Sequence, residues 1–128
     1  MMARLEHVNV TVRAPLKSAE MLCRIFGWHI RRQGAAKEAG FSVHVGTDDQ
    51  YVALYTPPNG LKARKDPTYH RSGLNHIGVV EADLRACERA VIAEGYLPGE
   101  HYDYELGRRF YFTEENGVEI EVISYAPA

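Results

Sequence analysis

Cysteine is scarce in this chain: two in 128 residues, Cys23 and Cys87. Both fall at apolar positions of predicted helices and are far apart. They read as reduced core residues rather than as a disulfide or a metal pair. Long apolar runs are missing too. No stretch approaches the ~20 residues of a membrane span, and the N-terminus lacks a signal-peptide layout, so the expected compartment is the cytoplasm. Neither charge sign dominates. Fifteen Lys and Arg against 17 Asp and Glu leave a net charge of −2, with both signs interspersed. That gives no electrostatic case for nucleic acid. What is present, 45% hydrophobic and 25% charged residues, is ordinary for a globular protein. The length fits one domain over residues 1–128.

The strongest local signal is the last hairpin. Arg109-Phe110-Tyr111-Phe112 and Val118-Glu119-Ile120-Glu121-Val122-Ile123 alternate and are rich in aromatic and β-branched residues. The five residues between them, Thr113 to Gly117, carry Asn-Gly. Alternation puts Glu119, Glu121 and Ile123 on one face and Ile120 and Val122 on the other. Glu121 therefore needs water or a partner, because an unpaired buried carboxylate costs several kcal/mol.

Earlier in the chain, Leu5 to Val12 alternates as a strand, with Val8, Val10 and Val12 opposite His7, Asn9 and Thr11. Leu16 to Phe26 has helical spacing and stops at Gly27. Trp28–Arg32, Phe41–Val45 and Gln50–Thr56 are predicted strands, with a loop over Gln33–Gly40. Residues 57–73 are predicted to be a long connection, of the kind that is functional or disordered. The pattern then restarts. Leu74–Val80 is a strand, Asp83 is positioned as an N-cap for a helix over Leu84–Glu94, and Gly95 closes that helix. Tyr96-Leu97 begins a short strand, and Pro98–Arg108 is a second loop.

This restart is an internal repeat. Leu5-x-His7-Val8-x-Val10 recurs as Leu74-x-His76-Ile77-x-Val79, an offset of 76 − 7 = 69. Gly27-Trp28 recurs as Gly95-Tyr96, an offset of 95 − 27 = 68. Carrying 68 forward pairs Val43 with Tyr111 and Ala53 with Glu121. The predicted fold is α+β: two βαβββ modules related by a pseudo-twofold, with curved mixed sheets around a central cavity and helices outside. Module one spans about 1–57, a linker about 58–73 and module two about 74–128. Each first strand turns its Val and Ile residues under its helix, so His7 and His76 point to the concave side. Pseudo-symmetry then brings His7, Ala53, His76 and Glu121 toward one centre. Two histidines and a carboxylate with open positions suit Fe(II) or Mn(II). Zn(II) with three protein ligands and a water also fits, and Ni(II) is a further candidate.

Paired modules of this kind, with Leu5-x-His7, Leu74-Asn75-His76-Ile77 and Phe110-Tyr111 through Asn116-Gly117-Val118-Glu119-Ile120-Glu121, resemble the vicinal oxygen chelate superfamily. That superfamily includes glyoxalase I, methylmalonyl-CoA epimerase, bleomycin and fosfomycin resistance proteins and extradiol dioxygenases. The resemblance implies a divalent-metal site of His7, His76 and Glu121. Glyoxalase I carries a ligand Glu where this chain has Ala53. Extradiol enzymes carry a catalytic Tyr ten residues before the ligand Glu, where Tyr111 stands (121 − 111 = 10). Many also have an acid/base His where this chain has Leu61, with His70 the nearer substitute, and two further modules that are absent here.

Three functions follow as expectations from the resemblance. The first is ring-cleaving dioxygenase chemistry on a small oxygen-rich substrate chelated to the metal. The second is isomerase or lyase chemistry of the glyoxalase or epimerase type. The third is drug-sequestering binding without chemistry. For an enzyme, Tyr111 donates a proton or hydrogen bond to a developing oxyanion, and His101, Tyr102, Tyr104 and Arg108 clamp the substrate. For a binder, aromatic residues such as Tyr51 stack on the ligand. The expected partners are a small molecule and a second copy of the chain in a homodimer, with no nucleic acid and no membrane.

Overall fold

The computed structural model describes residues 2–62, 72–104 and 107–127, apart from the side chains of residues 37 and 104. The chain divides into two compact units, Met1–Ala63 and Arg64–Ala128. Each is βαβββ, as the repeat predicts.

In the first unit the order is β1 (His7–Thr11), α1 (Pro15–Phe26), β2 (His29–Ala35), β3 (Phe41–Gly46) and β4 (Tyr51–Thr56). The sheet runs β1-β4-β3-β2, with β1 parallel to β4 and the other pairs antiparallel. Proline at the first turn starts α1, and Gly27 ends it at φ 71°, a left-handed conformation that a side chain would resist. Its apolar stripe, Ala19, Met21, Leu22 and Ile25, is buried. Val43 and Val45 of β3 and Val52 and Leu54 of β4 are buried in the same unit. Burying each such side chain contributes about 1.5–3 kcal/mol. The helix packs on β2, β3 and β4. Because β1 is an edge strand, its apolar face is only partly covered, and Val8 stays 38% exposed.

The second unit repeats the plan with β5 (Ile77–Val80), α2 (Leu84–Ala93), β6 (His101–Tyr104), β7 (Gly107–Thr113) and β8 (Glu119–Ser124). Its sheet order is β5-β8-β7-β6, with β5 parallel to β8. Asp83 caps α2 by accepting from the Ala86 amide at 3.0 Å, as predicted. Phe110, Phe112, Ile120 and Val122 are buried, along with Val91 and Cys87 of α2. Burial pushes the Cys87 thiol up to about 12, so it is an inert core group. Both cysteines are free.

Three sequence-based boundaries need correction. Tyr96-Leu97 is not a strand, and the stretch read as a loop, Pro98–Arg108, contains β6. Its four residues, His-Tyr-Asp-Tyr, are a short signal for a strand, and they pair with the edge of β7, with His101 opposite Phe110. Likewise β2 runs past Arg32 into Gln33-Gly34-Ala35, with a bulge between Ile30 and Arg32. The 68-residue offset also fails at the third strands. Ala53 lies opposite His44, and Glu121 lies opposite Tyr111. The counterpart of Tyr111 is therefore His44 (111 − 44 = 67), whereas Val43 is fully buried on the other face. Among the described residues, no helix is long and apolar enough to cross a membrane.

The final hairpin turn is organised by Glu114, which is only 7% exposed. Its carboxylate accepts from the Asn116 amide (2.9 Å), the Asn116 side chain (2.8 Å) and the Val118 amide (3.0 Å). Removing this acceptor in Glu114→Ala is expected to cost about 1–3 kcal/mol in urea unfolding. Glu114→Gln, which keeps one carbonyl oxygen, is expected to lose less. An unchanged midpoint for Glu114→Ala contradicts this role.

Candidate metal centre and substrate groove

In the second unit, Glu121 lies between two strands, in register with Gly78 of β5 and Tyr111 of β7. A Cβ at position 78 would stand 3.7 Å from its Oε1, so the glycine leaves that side open. Its other oxygen, Oε2, accepts from the Tyr111 hydroxyl and from Arg109 Nη1, the latter at 3.3 Å. The side chains of Arg109 and Glu121 are each 13% exposed. Oε1 lies 4.0 Å from His76 Nε2. At 4.0 Å that is too long for a hydrogen bond and somewhat wider than the ~3.4 Å between two tetrahedral ligands ~2.1 Å from one ion, so a bound ion would draw the pair together.

His76 stands one residue before β5. Its Nδ1 lies 2.8 Å from Asn75 Oδ1. An amide oxygen only accepts, so Nδ1 donates in this bond, and Nε2 is the nitrogen turned toward Glu121. The first unit repeats this device. His7 Nδ1 lies 2.9 Å from Glu6 Oε1, and the Tyr51 hydroxyl donates to the same oxygen at 3.2 Å. Anchoring of one ring nitrogen by a carboxylate or carbonyl is the usual support of a metal-binding histidine. The donor chemistry of His76 and Glu121 fits a divalent ion, and His7 is an anchored imidazole of the same kind. Among the described residues, no three His, Cys, Asp or Glu side chains form a ready-made group for one. The pair His76 and Glu121 lies in the second unit, and His7 lies in the first.

Two tyrosines are held in their neutral form. The hydrogen bond to Glu121, then burial and the carboxylate's charge, pushes the Tyr111 phenol above its usual range, so it is a proton-bearing donor. Burial, then Glu6, raises Tyr51 as well. Hydrogen bonds from His7 and Tyr51 hold Glu6 below the ordinary carboxylate range. Tyr51 stacks on His7 at 4.8 Å and on His44 at 4.6 Å, and the Arg31 guanidinium lies 4.4 Å from its ring centroid. Tyr51 therefore supports His7, a role that its spacing alone did not suggest. Ala53, flanked in register by Asn9 and His44, is 2% exposed.

An open groove of about 870 Å³ in the second unit is lined by His76, Tyr102, Tyr111, Thr113 and Glu119, among others. Tyr102 meets Tyr111 edge-on at 5.9 Å. His101 and Arg108 do not line this groove. They line a separate pocket of about 240 Å³ together with Arg85 and Glu88 of α2, and Tyr102 borders both spaces. His101 stacks on Phe110 and hydrogen-bonds Glu88, as its register opposite Phe110 dictates. Tyr104 is in β6, but its side chain, like the whole of His70, lies outside the described residues. Sequence reasoning missed Arg109. Its signal was the alternation Arg109-Phe110-Tyr111, which puts the guanidinium and the phenol on one face.

The sequence matches the glyoxalase/bleomycin resistance protein/dioxygenase superfamily over residues 4–122. The chain belongs to this superfamily. Its fold is similar to that of a glyoxylase/bleomycin resistance protein/dioxygenase domain from Frankia sp. EAN1pec. That likeness has a TM-score of 0.81 at 19% identity and covers 97% of this chain and 93% of that one. It is also similar to the fosfomycin resistance protein FosX from Listeria monocytogenes, with a TM-score of 0.74 at 16% identity over 96% and 94% of the two chains. A mutant of that FosX, complexed with Mn(II) and 1S,2S-dihydroxypropylphosphonic acid, matches with a TM-score of 0.73 at 16% identity over 96% and 93%. At such identities the likeness concerns the fold. No curated protein matches the chain in sequence.

Burial, then Arg32, His7 and Arg31, lowers the affinity of His44 for a proton, so the fold favours its neutral form. Its contribution to stability is complete above the unfolded imidazole value of about 6.5 and is lost as pH falls through the lower folded value. Between pH 7.5 and pH 5, wild-type stability is therefore expected to fall more steeply than that of His44→Gln. Parallel curves from chemical denaturation would contradict this.

Proposed function

We propose that this superfamily member is a metal-dependent enzyme acting on a small oxygen-rich substrate, with His7, His76 and Glu121 as the metal ligands. The observation that carries this reading is the His76–Glu121 pair, in which one imidazole nitrogen is anchored and the other is turned toward an open carboxylate oxygen. A divalent ion bound there, Fe(II) or Mn(II) first and Zn(II) or Ni(II) next, supplies Lewis acidity and a template for two adjacent substrate oxygens. The chain's own groups do the rest. Tyr111 lines the groove, and its one hydroxyl proton, given to Glu121 Oε2 in the resting site, turns to the substrate oxygen on which negative charge develops. Tyr102 and the neighbouring groove wall orient the substrate. Ring cleavage with oxygen is the reaction we favour. The working unit is a homodimer.

A second reading is supported by the FosX likeness: a resistance-type protein acting on or sequestering a phosphonate antibiotic. Both readings are tested on untagged protein loaded with Fe(II) or Mn(II). Oxygen uptake with a panel of catechols supports ring cleavage, whereas loss of fosfomycin followed by phosphorus NMR supports the resistance reading. His76→Ala and Glu121→Gln are expected to lose metal. Tyr111→Phe is expected to keep it and to lower turnover by about 100-fold. Metal retained at wild-type levels in Glu121→Gln would remove the proposal.

A further inference from the structure

Resting on the metal assignment above, we propose that Arg109 is a resident counter-cation for Glu121: it holds the carboxylate in place before metal arrives and sets how tightly metal is kept. A carboxylate only 13% exposed needs a partner, and Arg109, equally buried on the adjacent strand, supplies one at 3.3 Å. Arg109 and Tyr111 both donate to Oε2. The oxygen left over is Oε1, facing His76 and the bare backbone of Gly78. Glu121 is thus set to offer a single oxygen, with its charge already balanced.

The first unit provides an internal comparison. The position corresponding to Glu121 is Ala53, and the one corresponding to Arg109 is Ser42 (109 − 67 = 42). The acid and the guanidinium occur together in one module and are both missing from the other. Two consequences follow. The second unit does not depend on metal to neutralise its partly buried carboxylate. The fixed guanidinium also repels an incoming divalent ion, so retention is weaker than the ligands alone would give.

The test uses full-length protein and Mn(II) alone as the probe. Binding is followed by the loss of the free-Mn(II) paramagnetic resonance signal, and the metal-free thermal midpoint is measured in parallel. Arg109→Gln is expected to lower the metal-free midpoint by several degrees, to tighten Mn(II) binding by about tenfold, and to enlarge the upward shift on adding Mn(II). Arg109→Lys, which keeps the charge, is expected to lie near wild type in all three. In the Arg109→Gln/Glu121→Gln double variant neither charge remains, and its midpoint is expected to return toward wild type. An unchanged midpoint in Arg109→Gln, weaker Mn(II) binding by a folded Arg109→Gln, or no recovery in the double variant would overturn the proposal. Loss of Mn(II) in Glu121→Gln with no change in Arg109→Gln defeats the counter-cation role alone. Mn(II) bound by Glu121→Gln as by wild type defeats the metal assignment itself.

Discussion

Glu121 sits mostly buried in the middle of a sheet, where an ionised carboxylate left alone costs several kcal/mol. Much of the second unit's sequence answers that cost. A glycine stands beside it on β5, a tyrosine and an arginine reach it from β7, and a histidine waits just ahead of β5. None of these four residues contributes to the apolar core. Their neighbours Phe110, Phe112, Ile120 and Val122 do, on the opposite face of the same strands. The period of two lets a single hairpin serve as core wall and as site.

The two modules solve the same mechanical problem with different chemistry. In each, a histidine ring is fixed through Nδ1 by the side chain just before it, Glu6 in one and Asn75 in the other. In the first module, stacking then adds support, with Tyr51 between His7 and His44. In the second, His76 meets Tyr111 edge-on at 6.2 Å and faces the Glu121 carboxylate. The interior of the first module's sheet carries Ala53, a small uncharged residue, where the second carries its acid. The superfamily supplies the frame, and these differences give the two modules different interiors.

The fold was largely legible because each module carries strong local signals: Gly27 after α1, Asp83 before α2, and alternation in β3, β4, β7 and β8. The closeness of His76 and Glu121 was legible from repeat and face. Elements held only by a neighbour's edge were not legible. β6 is only four residues long, His-Tyr-Asp-Tyr, and its place is defined by pairing with β7. In sequence that strand reads as a loop with His101 on the substrate side, whereas pairing with Phe110 turns His101 toward α2. Arg109 was overlooked for a different reason. A lone arginine on a strand ordinarily reads as solvated, and only the register across to β8 reveals its partner.

The offsets between the modules are 69 for the first strands, 68 for the last and 67 for the third strands. Slipping any strand by one residue against its neighbours would exchange its core and site faces. The differences in length were therefore absorbed between strands, while each strand kept its parity. For protein engineering, turns are the places where residues can be added or removed. A strand can be lengthened only in steps of two if His76, Tyr111 and Glu121 are to keep facing the same way.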